Sequence, residues 1–328
     1  PPRQQLGERK RIAWIDWGKA IGIYLVVLGH MRVLHGKPLI YMFHMAFFFM
    51  MSGYLYKRNT FGKEIRKSTK SLLVPYLCFN IILLGVALAV GDYEKGRIGN
   101  ILLCNYEMFP VRYFSPLWFL VTLFWIRLVC SVVKEKYYGY LTLIVMAISA
   151  VLFYTHYLPL DHQPDYYQWA TTCICLPSFM LGFFMKKGNW LSFPDKIQSK
   201  VLRHGMLFIT LIAMVIIGKL NGRVNVFTCA VGRDIMLYYI VSSTISFIAI
   251  YYISKWFNRP NKLIEIISLG TILILALHVA MIDGMSYGIQ MTSLLSIAIS
   301  VVIMAICYFL IIVCLKFCPF VIGREIKR

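Results

Sequence analysis

Trp17–Leu34 reads WGKAIGIYLVVLGHMRVL, an apolar run that carries Lys19 and His30. These two residues are eleven positions apart, and eleven helical steps of about 100° return a side chain to nearly the same face. At ~1.5 Å of rise per residue they are separated by roughly 16 Å along the axis, about half the ~30 Å hydrocarbon thickness of a bilayer. One helix face therefore presents a cation near one membrane surface and an imidazole deeper in. Ionisable groups are expensive in lipid and face a protein interior or a water-filled cavity, so the pair marks a candidate functional site.

The rest of the composition agrees with a membrane protein. The 328 residues are 59% hydrophobic and 15% charged, with a mean hydropathy of +0.68, which excludes an ordinary soluble domain. The net charge of +20 sits in short segments between apolar runs, where anionic membrane lipids attract it; no nucleic-acid partner is expected. Cys78, Cys130, Cys173, Cys175, Cys307 and Cys314 lie in apolar runs without CxxC spacing, so neither a disulfide framework nor a metal site is expected. No cleavable leader is visible, and the first apolar run is expected to stay in the mature chain.

Runs near the ~20 residues needed to span a bilayer number about ten. They cover Trp17 to Leu34, Leu39 to Tyr56, Leu72 to Gly91, Pro116 to Val133, Tyr138 to Thr155, Gln168 to Met185, Gly205 to Leu220, Asp234 to Ile253, Ser268 to Tyr287 and Thr292 to Lys316. Alternate connections, beginning with the amino terminus, hold well over half of the 34 Lys and Arg. The positive-inside rule then puts both termini in the cytoplasm. The connections on the other side, such as Gly91 to Ser115 and His156 to Tyr167 with Asp161 and Asp165, are longer or more acidic. No internal repeat or linker appears, so residues 1–328 read as one all-α integral membrane domain of about ten transmembrane helices.

Of the seven histidines, His30, His44 and His278 lie within apolar spans, whereas His35, His156, His162 and His204 fall in connections. A spanning histidine suits removal of a proton from a hydroxyl at neutral pH, and its bland alternative is an imidazole satisfied by a backbone carbonyl. His30 is the candidate general base. Asp16 shares its helix face to within roughly 40°, but fourteen residues are about 21 Å of straight helix, which rules out a compact dyad. Its nearer partner is Lys19, at i,i+3. Ser52, in Phe47-Phe48-Phe49-Met50-Met51-Ser52-Gly53-Tyr54, is the one serine to weigh as a nucleophile, and close helix packing is the preferred reading of Ser52-Gly53. The densest basic stretch, residues 57–70, supplies Arg66 and Lys70 one turn apart, then Lys63 and Lys67, either as headgroup contacts or as ligands for the phosphates of a cytosolic donor. Trp118 stands at the start of the fourth span as an interfacial anchor or as a platform for a sugar ring. Arg233, Asp234 and Asp283 sit at outer ends of spans, where surface pairing competes with binding of a hydroxylated acceptor.

Taken together, these residues resemble the acyltransferase-3 family of membrane O-acyltransferases, in particular its short stand-alone fucose acetylase-like type. The resemblance rests on Ile15-Asp16-Trp17-Gly18-Lys19-Ala20-Ile21-Gly22-Ile23-Tyr24 followed by Val26-Val27-Leu28-Gly29-His30, and on Phe43-His44-Met45-Ala46-Phe47 through Tyr54. A basic residue, ten intervening positions and a histidine match Lys19 and His30. Val74-Pro75-Tyr76, Leu117-Trp118-Phe119-Leu120 and His278 after Ile272-Leu273-Ile274 are weaker matches. Ala46 replaces a proline common among relatives, and Thr122 and Leu123 occupy the neighbourhood of a glutamate found in many larger ones.

The resemblance implies that acetyl-CoA, or another short acyl-CoA, donates from the cytosol to a hydroxyl of an extracytoplasmic carbohydrate, either a surface polysaccharide or a lipid-linked glycan. It further implies a bacterial inner-membrane location and catalysis within the membrane domain, without an appended SGNH-type domain. On this reading His30, His278 and Asp16 are the catalytic set, and Lys19, Arg66, Lys70, Lys63 and Lys67 hold the donor. His44, Trp118, Arg233 and Asp283 meet the acceptor. A transporter or flippase of lipid-linked sugars is the alternative, and a covalent acyl-enzyme on Ser52 or a histidine is a third route.

Overall fold

A backbone in lipid has no water to satisfy its N–H and C=O groups, so each apolar run closes its hydrogen bonds as a helix. The computed structural model describes residues 11–91, 96–104, 116–159, 165–192 and 199–325. Among them the chain forms α1 (Ala13–His30), α2 (Lys37–Leu55), α3 (Phe61–Ala89), α4 (Arg97–Leu103), α5 (Trp118–Val132), α6 (Tyr138–Tyr154) and α7 (Trp169–Lys187). The series continues with α8 (Lys200–Asn221), α9 (Ile235–Trp256), α10 (Lys262–Leu269), α11 (Thr271–Met285) and α12 (Ser293–Phe317). Each of the ten expected spans coincides with a helix. Seven helical segments are long and apolar enough to cross a bilayer, and α10 with α11 makes an eighth if the bent pair is one span. The protein is thus an all-α integral membrane protein. α5, at 15 residues, is short for a crossing, and Asp16 and Lys19 make α1 more polar than its neighbours.

Three helices depart from the expected outlines for identifiable reasons. α3 starts eleven residues before the expected span, because a π-helical turn over Thr69–Leu73 joins the basic segment to the apolar one. A second π-helical stretch, Tyr238–Ile245, lies within α9. The ninth span, read as continuous from Ser268, bends by 78° between α10 and α11. Gly270 sits at that bend, where an added Cβ would fall 2.2 Å from Ile311 of α12, so only glycine admits the close approach. α4 was not expected from the sequence, being too short to leave a periodic signal. Asp161 and His162 lie outside the described residues.

The core seam is the contact of α2 with α7. A Cβ on Gly53 would stand 1.8 Å from the Phe179 carbonyl oxygen, and one on Gly182 would stand 2.0 Å from that of Met50. Reciprocal glycines therefore let the two backbones touch, which is how helices associate where lipid removes the hydrophobic drive. The packing reading of Ser52-Gly53 accounts for this motif. Three helix starts are capped by side chains: Asn261 accepts from the N–H groups of Leu263 and Ile264, Thr292 from Leu295 and Asp165 from Ala170 and Thr171.

The basic connections gather at one end of the bundle. There Arg58 donates to the carbonyls of Ser131 and Val133 at the C-terminus of α5, and Lys187 pairs with Glu135 at 2.7 Å. The C-terminal segment folds back to the same end, with Gly323 against the Ser71 carbonyl and the charge of Arg324 acting on Lys19. The opposite end carries the short connection from α1 to α2 and the loop between α8 and α9.

Candidate active site

Three spanning histidines converge at the end opposite the basic connections. His30 closes α1, His44 lies two turns into α2 and His278 lies two turns into α11. The His30 ring centroid is 4.8 Å from that of His278 and 6.0 Å from that of His44, both edge-on. Tyr41, one turn before His44, lies 5.4 Å from His30 and 5.1 Å from His44. His44 and His278 are buried, and His278 is inaccessible to solvent.

Each ring is anchored in the same way. Nδ1 of His30 bonds the Val26 carbonyl at 2.9 Å, Nδ1 of His44 that of Ile40 at 2.9 Å, and Nδ1 of His278 those of Ile274 and Leu275 at 2.9 and 3.0 Å. A carbonyl oxygen only accepts, so Nδ1 is the donor in every case, and the neutral ring keeps its lone pair on Nε2. The bland expectation for a spanning histidine, a bond to its own backbone, is thus met on Nδ1 without using the basic nitrogen. Nε2 of His278 is buried and has no hydrogen-bond partner among the described residues. An unpartnered buried acceptor is costly. Among the described residues no group of three or more His, Cys, Asp or Glu stands in a metal-holding arrangement.

Two cavities adjoin the imidazoles. One is lined by His30, Tyr41, His44, Trp118, Asn225 and Phe227 among others. Trp118 is buried here, with its ring 6.1 Å from that of Phe227, so it is part of the cavity wall and not an interfacial anchor. The other is apolar and lies one to two turns toward the basic end, between Ile23, Met45, Phe48, Phe119 and Leu275. Met45 borders both. Sequence reading missed Tyr41, Asn225 and Phe227. Tyr41 stands three residues before His44 and was legible as its helical neighbour, but the other two come from a loop whose inward fold left no periodic signal. That loop is held by buried Asn221, which donates to the Val231 carbonyl and accepts from the Asp234 N–H.

The other sequence-flagged residues fall elsewhere. Lys19 points along the face of α1 that leads to His30, and its ammonium donates to the Ser268 carbonyl at 2.7 Å, just before the bend. Asp16 is not brought to the imidazoles: it accepts from Arg11 and, at 2.6 Å, from the Ser268 hydroxyl. The structure therefore does not bring Asp16 together with the other residues of the expected catalytic set, because a straight α1 holds it at the far end, bonded to Ser268. Lys63, Arg66, Lys67 and Lys70 are exposed on α3 at the basic end. Asp283 pairs with Arg32 at 3.1 Å, and Arg233 is exposed beside Gly222 in the loop that walls the cavity.

Neither the curated proteins nor the solved structures contain a match to this chain. A family model does match: the one for acyltransferase-3, described as an acyltransferase domain, aligns with residues 12–318 and so takes in α1 through α12, both motif stretches and all three histidines. The chain belongs to the acyltransferase-3 family and is a membrane acyltransferase.

Proposed function

We propose that this protein moves an acetyl group from acetyl-CoA, bound at the basic end, to a hydroxyl of an extracytoplasmic or lipid-linked carbohydrate in a bacterial inner membrane. The observation that carries the reading is the convergence of three imidazoles, each with its Nε2 lone pair left free, two of which, His30 and His44, line a cavity that also holds an aromatic wall. A base within reach of a hydroxyl and a ring face for a sugar are what carbohydrate O-acylation requires. Lys19, Lys63, Arg66, Lys67 and Lys70 supply cations for the donor's phosphates, with Arg324 added beside Lys19. The apolar cavity below the imidazoles suits the acyl end of an extended thioester arm.

In the reaction, Nε2 of His30 takes the proton of the acceptor hydroxyl as its oxygen bonds to the thioester carbonyl carbon. The carbon–sulfur bond then breaks, and the imidazolium returns its proton to the departing thiolate, so charge and protons balance. His278, edge-on to His30, orients that ring and stabilises the transient imidazolium. His44 and Trp118 hold the acceptor.

The test is CoA release and acyl transfer from radiolabelled acetyl-CoA in proteoliposomes supplied with surface glycans, comparing the native protein with His30→Ala. Donor-dependent transfer that falls at least ~10²-fold in the variant is the expected result. Glycan movement across the bilayer without CoA release would overturn the reading in favour of transport.

A further inference from the structure

Two cations flank residues that line the histidine cavity, Lys37 beside Tyr41 and Arg223 two residues before Asn225. Lys37, the first residue of α2, donates to the Met31 carbonyl at 3.0 Å, and its ammonium stands 5.5 Å from the centroid of the Tyr41 ring. Arg223 leads the loop after α8, where it is exposed just before the cavity wall. The backbone geometry explains the approach. Gly218 of α8 packs on Met42 of α2, which brings the end of α8 beside the start of α2, and Gly222 (φ +80°) turns the chain so that Asn225 and Phe227 enter the cavity wall.

A carbonyl and a ring face soften the charge of Lys37, and neither cancels it. The nearby acids are committed elsewhere. Asp283 pairs with Arg32, Asp165 caps α7 and Asp234 caps α9 while accepting from Tyr154. Among the described residues, neither Lys37 nor Arg223 has a carboxylate within salt-bridge distance. Two cations held together without a counter-ion repel each other, and an anion between them relieves that repulsion while using the bidentate geometry of the guanidinium.

We propose that the acceptor of this enzyme is anionic, a glycan bearing a carboxylate or phosphate that Lys37 and Arg223 hold at the rim while its hydroxyl reaches the imidazoles. Tyr41 fixes the spacing, since its single ring separates the Lys37 ammonium from His30 and His44, a gap that one sugar unit bridges. The inference rests on the transferase reading and adds to it the charge class of the acceptor.

The experiment is transfer from radiolabelled acetyl-CoA, in phosphatidylcholine proteoliposomes, to the total surface-glycan fraction of the producing cell, followed by anion exchange. Label that is retained on the column and released by salt is the expected result. Label in the unretained neutral fraction overturns the inference while leaving the transferase reading intact, and label in neither fraction overturns both. With the retained glycan as substrate, Arg223→Gln and the double variant K37Q/R223Q are expected to raise KM about tenfold or more with kcat within about twofold. An unchanged KM overturns the proposal, as does an effect confined to vesicles containing anionic lipid, which would assign the pair to headgroups. Arg223 is exposed on a loop, so the single variant keeps the test available if the double variant misfolds.

Discussion

His30 and His278 meet edge to face across the α1–α11 interface, with ring centroids 4.8 Å apart and planes at 81°, and each ring spends its Nδ1 proton on its own helix. Asparagine keeps a donor close to the Nδ1 position and lacks the second nitrogen, so His→Asn removes Nε2 selectively. His30→Asn is expected to lower single-turnover transfer by ~10²–10⁴-fold and His278→Asn by less. Because the rings act as a unit, the double variant should be little worse than His30→Asn alone. Multiplicative losses in rapid-quench measurements would mean that the two rings act independently.

The Lys19 ammonium caps a carbonyl that the bend between α10 and α11 leaves without a helical partner. Lys19→Met should lower stability by about 1.5–3 kcal/mol, the range for a hydrogen bond to a charged group, whereas Ser268→Ala should cost less because it leaves Asp16 bonded by Arg11. Thermal unfolding in detergent reads the order. A Lys19→Met protein as stable as the native one would remove the anchoring role.

Gly53→Ala and Gly182→Ala each force a methyl against backbone at about 2 Å across the α2–α7 seam, and each is expected to cost about 1–3 kcal/mol or more through overpacking. Gly85, near the C-terminal end of α3 with nothing within 4 Å of its Cβ position, behaves oppositely. There alanine should be neutral or stabilising by up to about 1 kcal/mol. Expression level and melting temperature of the three variants provide the comparison.

Asp234 precedes α9, and the N–H of Leu237, the Tyr154 hydroxyl and the N–H of Met236 hold its carboxyl below the usual carboxylate range. A depressed carboxyl contributes stability that is complete above its unfolded value of about 3.9 and is lost as the pH falls through the lower folded value. Melting temperature should therefore be flat in this contribution from pH 7 to 5 and fall in more acidic buffer. Asp234→Asn, which still caps the helix, should flatten the acid limb; an unchanged limb would assign it to other groups.

The sequence made the helices legible because spanning segments must be both apolar and long, and that pattern survives any tertiary arrangement. Lys19 and His30 were legible as one face because α1 is straight. The bend at Gly270 was not, since nothing in the run from Ser268 to Tyr287 shows that Ile311 of another helix needs the space of a side chain there. His44 and His278 stood out as histidines in apolar runs, but their meeting with His30 depends on which helices are neighbours. Asn225 and Phe227 were hidden for a related reason: they reach the cavity through the internal bonds of Asn221 in a loop that hydropathy marks only as a connection. Asp16, on the same face as His30, was legible as distant.

Three rings anchored by i−4 carbonyls have a mechanical consequence. No imidazole is tied by Nδ1 to a neighbouring helix, so the gaps between their Nε2 atoms measure the relative height and rotation of α1, α2 and α11. A slide of one helix by a fraction of a turn would change those gaps without altering a single bond within any ring's own helix. On the proposed mechanism, the seams between helices therefore govern turnover as much as the histidines do, and the Lys19 bond to Ser268, at the opposite end of α1, ties that helix to the α10–α11 pair.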